Sequence, residues 1–199
     1  MSELEWTVVV PVKGTSSAKS RLDGPPELAD AIALDSVEAV LAAGNVDRVI
    51  VVTSEQAAPE FTALGAKVVI DAGDGLNAAA AQGIAAAGAG PVAVLLGDVP
   101  SLAPSELAAV LRLAGAHPRA FVADADGDGT VLITSLDGTQ HTPAFGPDSR
   151  SAHLTEGYVE VGFPPDSGLR RDVDTAEQLA AIPAMSLGPR TRAAVERLT

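Results

Sequence analysis

Between Val8 and Leu22 the chain reads VVVPVKGTSSAKSRL, an apolar run that breaks into small residues, hydroxyls and positive charge. Lys13, Lys19 and Arg21 fall together there, in a chain with 13 Lys plus Arg against 26 Asp plus Glu. An ammonium group is a point charge for phosphate oxygens and a guanidinium a two-pronged donor. With the flexible Gly14 and the hydroxyls of Thr15, Ser16 and Ser17, the segment has the parts of a phosphate-binding loop; its other reading is a solvated loop that aids solubility. It is neither G-x-G-x-x-G nor G-x-x-x-x-G-K-[ST], so a dinucleotide fingerprint and a Walker loop are unsupported.

Carboxylates that could face such a loop follow later. Asp98, in VLLGDVPSL, comes directly after an apolar run, on a turn stiffened by Pro100. Mg²⁺ takes one or two carboxylates plus ligand oxygens, and Asp98 is placed to be one of them. The competing reading makes it the cap of a helix over Ser105–Leu113, a task open also to Ser101 or Ser105. In RRDVDTAEQL, Asp172 and Asp174 share a face if Val173 is extended, and either could complete a metal site with Asp98. Asp174 with Glu177 also forms a D-x-x-E capping pattern, which leaves Asp172 the preferred second ligand. In DAGDGLNAAAA, Gly73 and Gly75 permit a tight turn, and the Asn77 amide could read a base edge or cap the helix that begins there. DADGDG starts like a calcium loop, but Ser135 stands where its twelfth residue should be Glu, so a glycine-rich ligand loop or a plain turn is expected. His117, His141 and His153 lack zinc spacing, and no G-x-S-x-G elbow is present.

These residues need elements to position them. Apolar, β-branched runs at Trp6–Val12, Val49–Val52, Lys67–Ile70 and Val92–Leu96 alternate with helical segments at Leu28–Ala43, Gln56–Leu64 and Leu76–Ala87. That rhythm predicts a parallel sheet with helices on both faces. After Leu113 the order becomes mixed, with strands at Ala120–Val122, Val131–Ile133 and Tyr158–Gly162 and a helix opened by DTAEQLAAI. In such a sheet, ligands bind beyond the carboxyl ends of the strands, where the loops above lie.

Composition narrows the function. The 199 residues fit one α/β domain with a core of Val, Leu, Ile and Ala, since 47% are hydrophobic and only 3% aromatic. There is no cysteine, which excludes disulfides and thiolate chemistry. A formal charge of −13 argues against nucleic acid or an anionic membrane as partner, while a small anion needs only local positive charge or a bridging cation. The first apolar run is short and follows Glu3 and Glu5, unlike a secretory leader, and no run reaches membrane-span length. A cytoplasmic location is the expectation.

With VPVKGTSSAKSRL, GLNAA, LLGDVPSL, DGDGT, FGPDSRSAH and DVDTAEQL in place, the chain resembles the guanylyltransferases of coenzyme F-420 biosynthesis, which act on phosphoenolpyruvate or 2-phospho-L-lactate. The resemblance runs from Val8 to about Leu179. It implies a Rossmann-like nucleotidyltransferase fold, with GTP over the first loop and near Gly14, Lys19, Gly75 and Asn77. It implies Mg²⁺ or Mn²⁺ on Asp98 and an aspartate of DVDT, and catalytic roles for Lys13, Lys19, Arg21 and Asp98. Acceptor contacts fall on Thr130, Gly146 and Ser149, with Arg150 a candidate for the acceptor carboxylate or an ordinary surface residue. Relatives often carry a second threonine where this chain has Val131. A different nucleotidyltransferase, making a molybdopterin dinucleotide or a nucleotide sugar, is the near rival. A metal-dependent glycosyltransferase, from the D-x-D look of DAD, DGD and DVD, and a nucleotide-binding regulator without turnover are the others. The acceptor and the oligomeric state stay open at this level.

Overall fold

The computed structural model describes residues 4–12 and 25–198. Lys13, Gly14, Lys19 and Arg21, the expected cationic loop, lie outside the described residues. Seven strands form one sheet in the order β3-β2-β1-β4-β6-β5-β7. They are β1 (Trp6–Pro11), β2 (Val46–Thr53), β3 (Lys67–Ile70), β4 (Val92–Leu95), β5 (Arg119–Ala123), β6 (Thr130–Ser135) and β7 (Val159–Glu160). Neighbours pair in parallel except β6, which runs antiparallel to both β4 and β5. The expected mostly parallel sheet is therefore observed, and the change of rhythm after Leu113 is the reversed β6.

Helices α1 (Pro26–Leu41), α2 (Ala58–Leu64), α3 (Leu76–Ala87) and α4 (Pro104–Ala114) link the parallel strands, and α5 (Ser149–Thr155), α6 (Ala176–Ala180) and α7 (Pro189–Glu196) follow the hairpin. Among the described residues no helix is long and apolar enough to cross a membrane. Alternate residues of β1 serve opposite faces, as a pleated strand requires. Val8 and Val10 pack with Val37, Val40, Leu107 and Leu111 of α1 and α4. Val9 packs with Ala79, Ala80 and Ile84 of α3, and with Phe121. With both faces covered, all six residues of β1 are buried, which explains its unbroken apolar run.

The approach of α3 to the sheet depends on Gly83. A Cβ there would stand 2.2 Å from Val9 Cγ1 and 2.9 Å from Val52 Cγ2, so only glycine lets the helix lie this low. On the other face, the buried Asp35 of α1 accepts the N–H groups of Arg190 (3.2 Å) and Thr191 (2.7 Å), and so caps α7 from outside the helix.

Candidate active site

The carboxyl ends of β1, β4 and β5 open on one edge of the sheet, and antiparallel β6 begins there. At Gly97 a Cβ would lie 3.0 Å from Val12 Cγ2 and 3.3 Å from Val10 Cγ1. This glycine lets the turn after β4 close onto the end of β1 at Val10 and Val12.

Asp98 is half-buried, its Oδ1 sealed from solvent, and its carbonyl accepts Val173 N–H at 2.9 Å. That bond draws the DVD segment onto the β4 turn. Burial first, and then the Asp98 and Asp124 carboxylates, push the Asp172 carboxyl up to about 7. Asp98 and Asp172 are thus close enough to repel each other across a poorly solvated gap, a tension that a cation would relieve. Among the described residues no three acidic or histidine side chains converge as a metal cluster. Two hard carboxylates nevertheless fit a divalent ion that takes its remaining ligands from phosphate oxygens and water.

The capping expectations for this edge are corrected. The N-cap of α4 is Ala103, whose N–H is taken by Glu106 Oε2 at 3.2 Å, so neither Asp98, Ser101 nor Ser105 caps it. The cap of α6 is one residue later than the D-x-x-E pattern gives. Thr175 Oγ1 accepts Gln178 N–H at 3.2 Å, and Gln178 Oε1 accepts the N–H groups of Thr175 (3.0 Å) and Asp174 (2.8 Å). A hydroxyl and an amide fill the capping box. Asp174 is left exposed, and it is the smallest of the contributors that raise Asp172.

DADGDG is the turn of the β5–β6 hairpin. Asp124 Oδ1 accepts Gly127 N–H at 2.6 Å, and Gly127 has φ 86°. At Gly129 a Cβ would fall 2.0 Å from Asp124 Oδ2, so the carboxylate folds over this glycine and a side chain there would displace it. Arg170 clamps the root of this turn, donating from Nε to the carbonyls of Ala123 (2.9 Å) and Asp124 (3.1 Å) and from Nη1 to Phe163 (3.0 Å). Arg150 N–H donates to the Asp128 carbonyl at 3.1 Å, which ties the turn to α5. Hydrogen bonds therefore link the Asp98 turn to Val173, and Arg170, two residues before Asp172, to the 123–129 turn, which Arg150 N–H joins to α5.

Thr130 and Ser149 are buried, and Gly146 adopts φ 136° in the loop leading to α5. Arg150 is engaged on the surface, its Nε and Nη2 reaching Glu160 of β7 at 2.9 to 3.2 Å. Its guanidinium faces a protein carboxylate, and the surface reading describes it better than the substrate one.

Asn77 does not cap α3. Its Nδ2 donates to the Phe145 carbonyl (2.9 Å) and its Oδ1 accepts the Phe145 N–H (2.8 Å). Each end of the amide makes one bond to the same backbone residue, which ties α3 to the loop before α5, and α3 has no side-chain cap. Gly75, with φ 95°, is the N-cap residue of α3. With Pro11, Val12, Asp71, Gly73, Leu76 and Ala79 it lines a recess of about 200 Å³ at the ends of β1 and β3.

Two histidines that the spacing arguments set aside hold the 141–149 loop. His141 Nε2–H donates to the Val92 carbonyl (2.8 Å), and its Nδ1 accepts from Tyr158 O–H (3.0 Å), whose oxygen accepts Thr142 N–H (2.9 Å). His153 bridges Thr130 Oγ1 (3.0 Å) and Ala144 N–H (3.1 Å). Burial lowers both rings to about 4. The signal for His153 was its four-residue spacing from Ser149, which puts the two on one helix face. His141 and Asn77 bond partners far along the chain, which no local pattern marks.

Residues 27–164 match the family model of the MobA-like NTP transferase domain. A phosphoenolpyruvate guanylyltransferase of Streptomyces coelicolor is 48% identical over 98% of this chain and 98% of its own. Among solved structures, a nucleotidyl transferase from Methanothermobacter aligns over 100% of both chains with a TM-score of 0.61 at 20% identity. Rv0371C of Mycobacterium tuberculosis, in complex with manganese, aligns over 90% of this chain and 97% of its own with a TM-score of 0.59 at 19% identity. These two likenesses concern the fold.

Proposed function

The chain belongs to the MobA-like NTP transferase family and, within it, to the phosphoenolpyruvate guanylyltransferases, and we propose that it joins GTP to phosphoenolpyruvate. The product is enolpyruvoyl-2-diphospho-5'-guanosine, released with pyrophosphate, as a step of coenzyme F-420 biosynthesis. The observation that carries the reading is the set of backbone hydrogen bonds that holds these segments together at one sheet edge. It joins a carboxylate pair, Asp98 and Asp172, to the loops bearing Thr130, Gly146 and Ser149.

A phosphate oxygen of the acceptor attacks the α-phosphorus of GTP. The new P–O bond forms as the α–β anhydride bond breaks, and the electron pair leaves with pyrophosphate. No general base is needed, because a phosphate monoester is already ionised near neutral pH. Mutual repulsion of two anions is the main obstacle, so positioning and electrostatics account for most of the rate. Asp98 and Asp172 would hold a divalent cation, Mg²⁺ or Mn²⁺, which when bound neutralises triphosphate charge. Lys13, Lys19 and Arg21 supply the remaining positive charge, and Gly14 the room for phosphates. The recess at Gly75 receives the nucleoside. Thr130 and Ser149, with the backbone at Gly146, hold the acceptor.

Incubation with GTP, Mg²⁺ and, in turn, phosphoenolpyruvate, 2-phospho-L-lactate and 3-phosphoglycerate, read by mass spectrometry, tests this. The expected result is the phosphoenolpyruvate adduct with stoichiometric pyrophosphate. Turnover with CTP or UTP in preference to GTP, or sugar transfer without pyrophosphate, would replace the reading.

A further inference from the structure

His153 is fully buried, and its hydrogen bonds can be given a direction. The Ala144 N–H, 3.1 Å from Nε2, has only a hydrogen to offer, so Nε2 is the unprotonated nitrogen. The ring sits among Phe121, Phe145 and Tyr158, with centroids at 5.9, 5.4 and 5.3 Å. Burial in this box, opposed only by the Ser149 carbonyl and the Glu156 charge, keeps it neutral, and His141 nearby is neutral as well. A neutral ring with a bare Nε2 carries its one hydrogen on Nδ1, which faces both the Ser149 carbonyl and Thr130 Oγ1. That nitrogen, 3.0 Å from Thr130 Oγ1, has no lone pair with which to accept, so Thr130 cannot donate to it. Among the described residues Thr130 Oγ1 makes no other hydrogen bond. Its hydrogen is therefore uncommitted, in a side chain that is buried.

We propose that His153 is a positioning residue that converts the Thr130 hydroxyl into a committed hydrogen-bond donor for the anionic oxygens of the acceptor. This rests on the reading that Thr130 contacts the acceptor. A hydroxyl whose oxygen already receives a hydrogen bond is fixed in rotation and polarised toward giving, which suits a fully ionised phosphate. The reverse tautomer would let Thr130 donate into the ring and present a lone pair to an anion.

Kinetics of four variants with GTP and phosphoenolpyruvate test the proposal. Thr130→Val should raise the acceptor KM roughly tenfold with the GTP KM unchanged, the effect of one hydrogen bond to a charged group. His153→Gln keeps an acceptor near Ala144 but loses the donor to Thr130, and should match that rise. His153→Asn places an amide N–H near the position of Nδ1 and should remain within about threefold of wild type. In Thr130→Val/His153→Gln the losses should not multiply, because His153 acts through a hydroxyl that is gone. Multiplying losses, an acceptor KM unmoved by His153→Gln, or equal damage from His153→Asn and His153→Gln would overturn the role of His153. If Thr130→Val leaves the acceptor KM alone while wild type still makes product, the proposal falls and the reaction stands. If wild type makes no product with any phospho-carboxylate, both fall.

Discussion

The two halves of the sheet hold their loops by different means. From β3 to β4 the strands are parallel, and toward the site close approach comes from glycine, at Gly83 under α3 and Gly97 against β1. The side-chain ties of this half, Asn45 to the Ala108 carbonyl and Arg48 to the Ala87 carbonyl, lie at the other end of the strands. From β6 to β7 the loops are tied by side chains. Asn77, His141, His153 and Arg170 all donate to or accept from backbone groups of distant segments. The first half needs little beyond a ladder and small residues to bring a carboxylate to the end of β4, a requirement common to nucleotide chemistry. The second must shape a pocket for one small acid, and there fixed polar groups matter more than close backbone packing.

The sharpest way to break that contrast is at Asp98, the carboxylate the parallel half must deliver. Asp98→Asn should lower kcat by ~10²–10³, the loss of a main electrostatic group, with little change in folding stability. Pyrophosphate release measures the first and urea unfolding the second. Near-normal turnover would remove Asp98 from the mechanism.

Close packing in the same half is probed by Gly83→Val. The new side chain meets Val9 and Val52 where even a Cβ lies 2.2 Å from Val9 Cγ1, so α3 must lift. Overpacking of this kind costs about 1–3 kcal/mol, to be read from the urea midpoint. An unchanged midpoint would show that α3 rides on the sheet more loosely than its contacts say.

The acceptor half should loosen first in acid. His141 and His153 have folded values of about 4 against an ordinary 6.5. Between these values the unfolded chain binds protons that the folded chain refuses. Their contribution to stability is therefore complete above about pH 6.5 and is lost as pH falls toward 4. Asp172, raised to about 7, works in the opposite sense, because the folded chain takes its proton first. Comparing wild type with a His141→Asn/His153→Asn double variant at each pH cancels that shared contribution. The expected difference is a steeper fall in stability for wild type between pH 6.5 and 4.5. Faster amide exchange should come in residues 141–149 before β1 and β2. Parallel pH profiles for the two proteins would show that the histidines are not what stiffens the loop.

This division also decided what the sequence disclosed. The elements of the parallel half repeat a local pattern, so β3 and α3 fall where Lys67–Ile70 and Leu76–Ala87 were expected, and Asp98 stands out as a lone carboxylate after a buried run. Asp172 is preferred in the sequence because Asp174 is expected to cap α6; the cap is Thr175, and it is burial beside Asp98 and Asp124 that sets Asp172 apart. The capping of α6 was missed by one residue, because D-x-x-E and the true T-x-x-Q overlap in DTAEQ and propensity alone does not rank them. Short α5 and α7 left no usable period; α7 begins where Asp35, more than 150 positions earlier, meets its free N–H groups. The pairings of His141 and Asn77 depend on distant backbone carbonyls whose positions follow only from the assembled sheet.

Asn77 makes the smallest of these tests and joins the two halves. It starts α3, beside the recess at Gly75, yet both its hydrogen bonds go to Phe145, next to Gly146. The side chain lies on the exposed rim, so its bonds compete with water, and each is worth about 1 kcal/mol. Asn77→Ala should leave the GTP KM within about twofold and raise the acceptor KM some three- to tenfold, with faster exchange at the Phe145 amide. Asn77→Asp keeps the oxygen that accepts Phe145 N–H but sets a carboxylate oxygen against the Phe145 carbonyl, so it should be no better than alanine. A residue that read the base would behave oppositely: its loss would raise the GTP KM, and aspartate would change the preference among GTP, CTP and UTP. Changed nucleotide preference with an unchanged acceptor KM would return Asn77 to the nucleotide. It would also erase the boundary drawn here between a half that packs and a half that is tied.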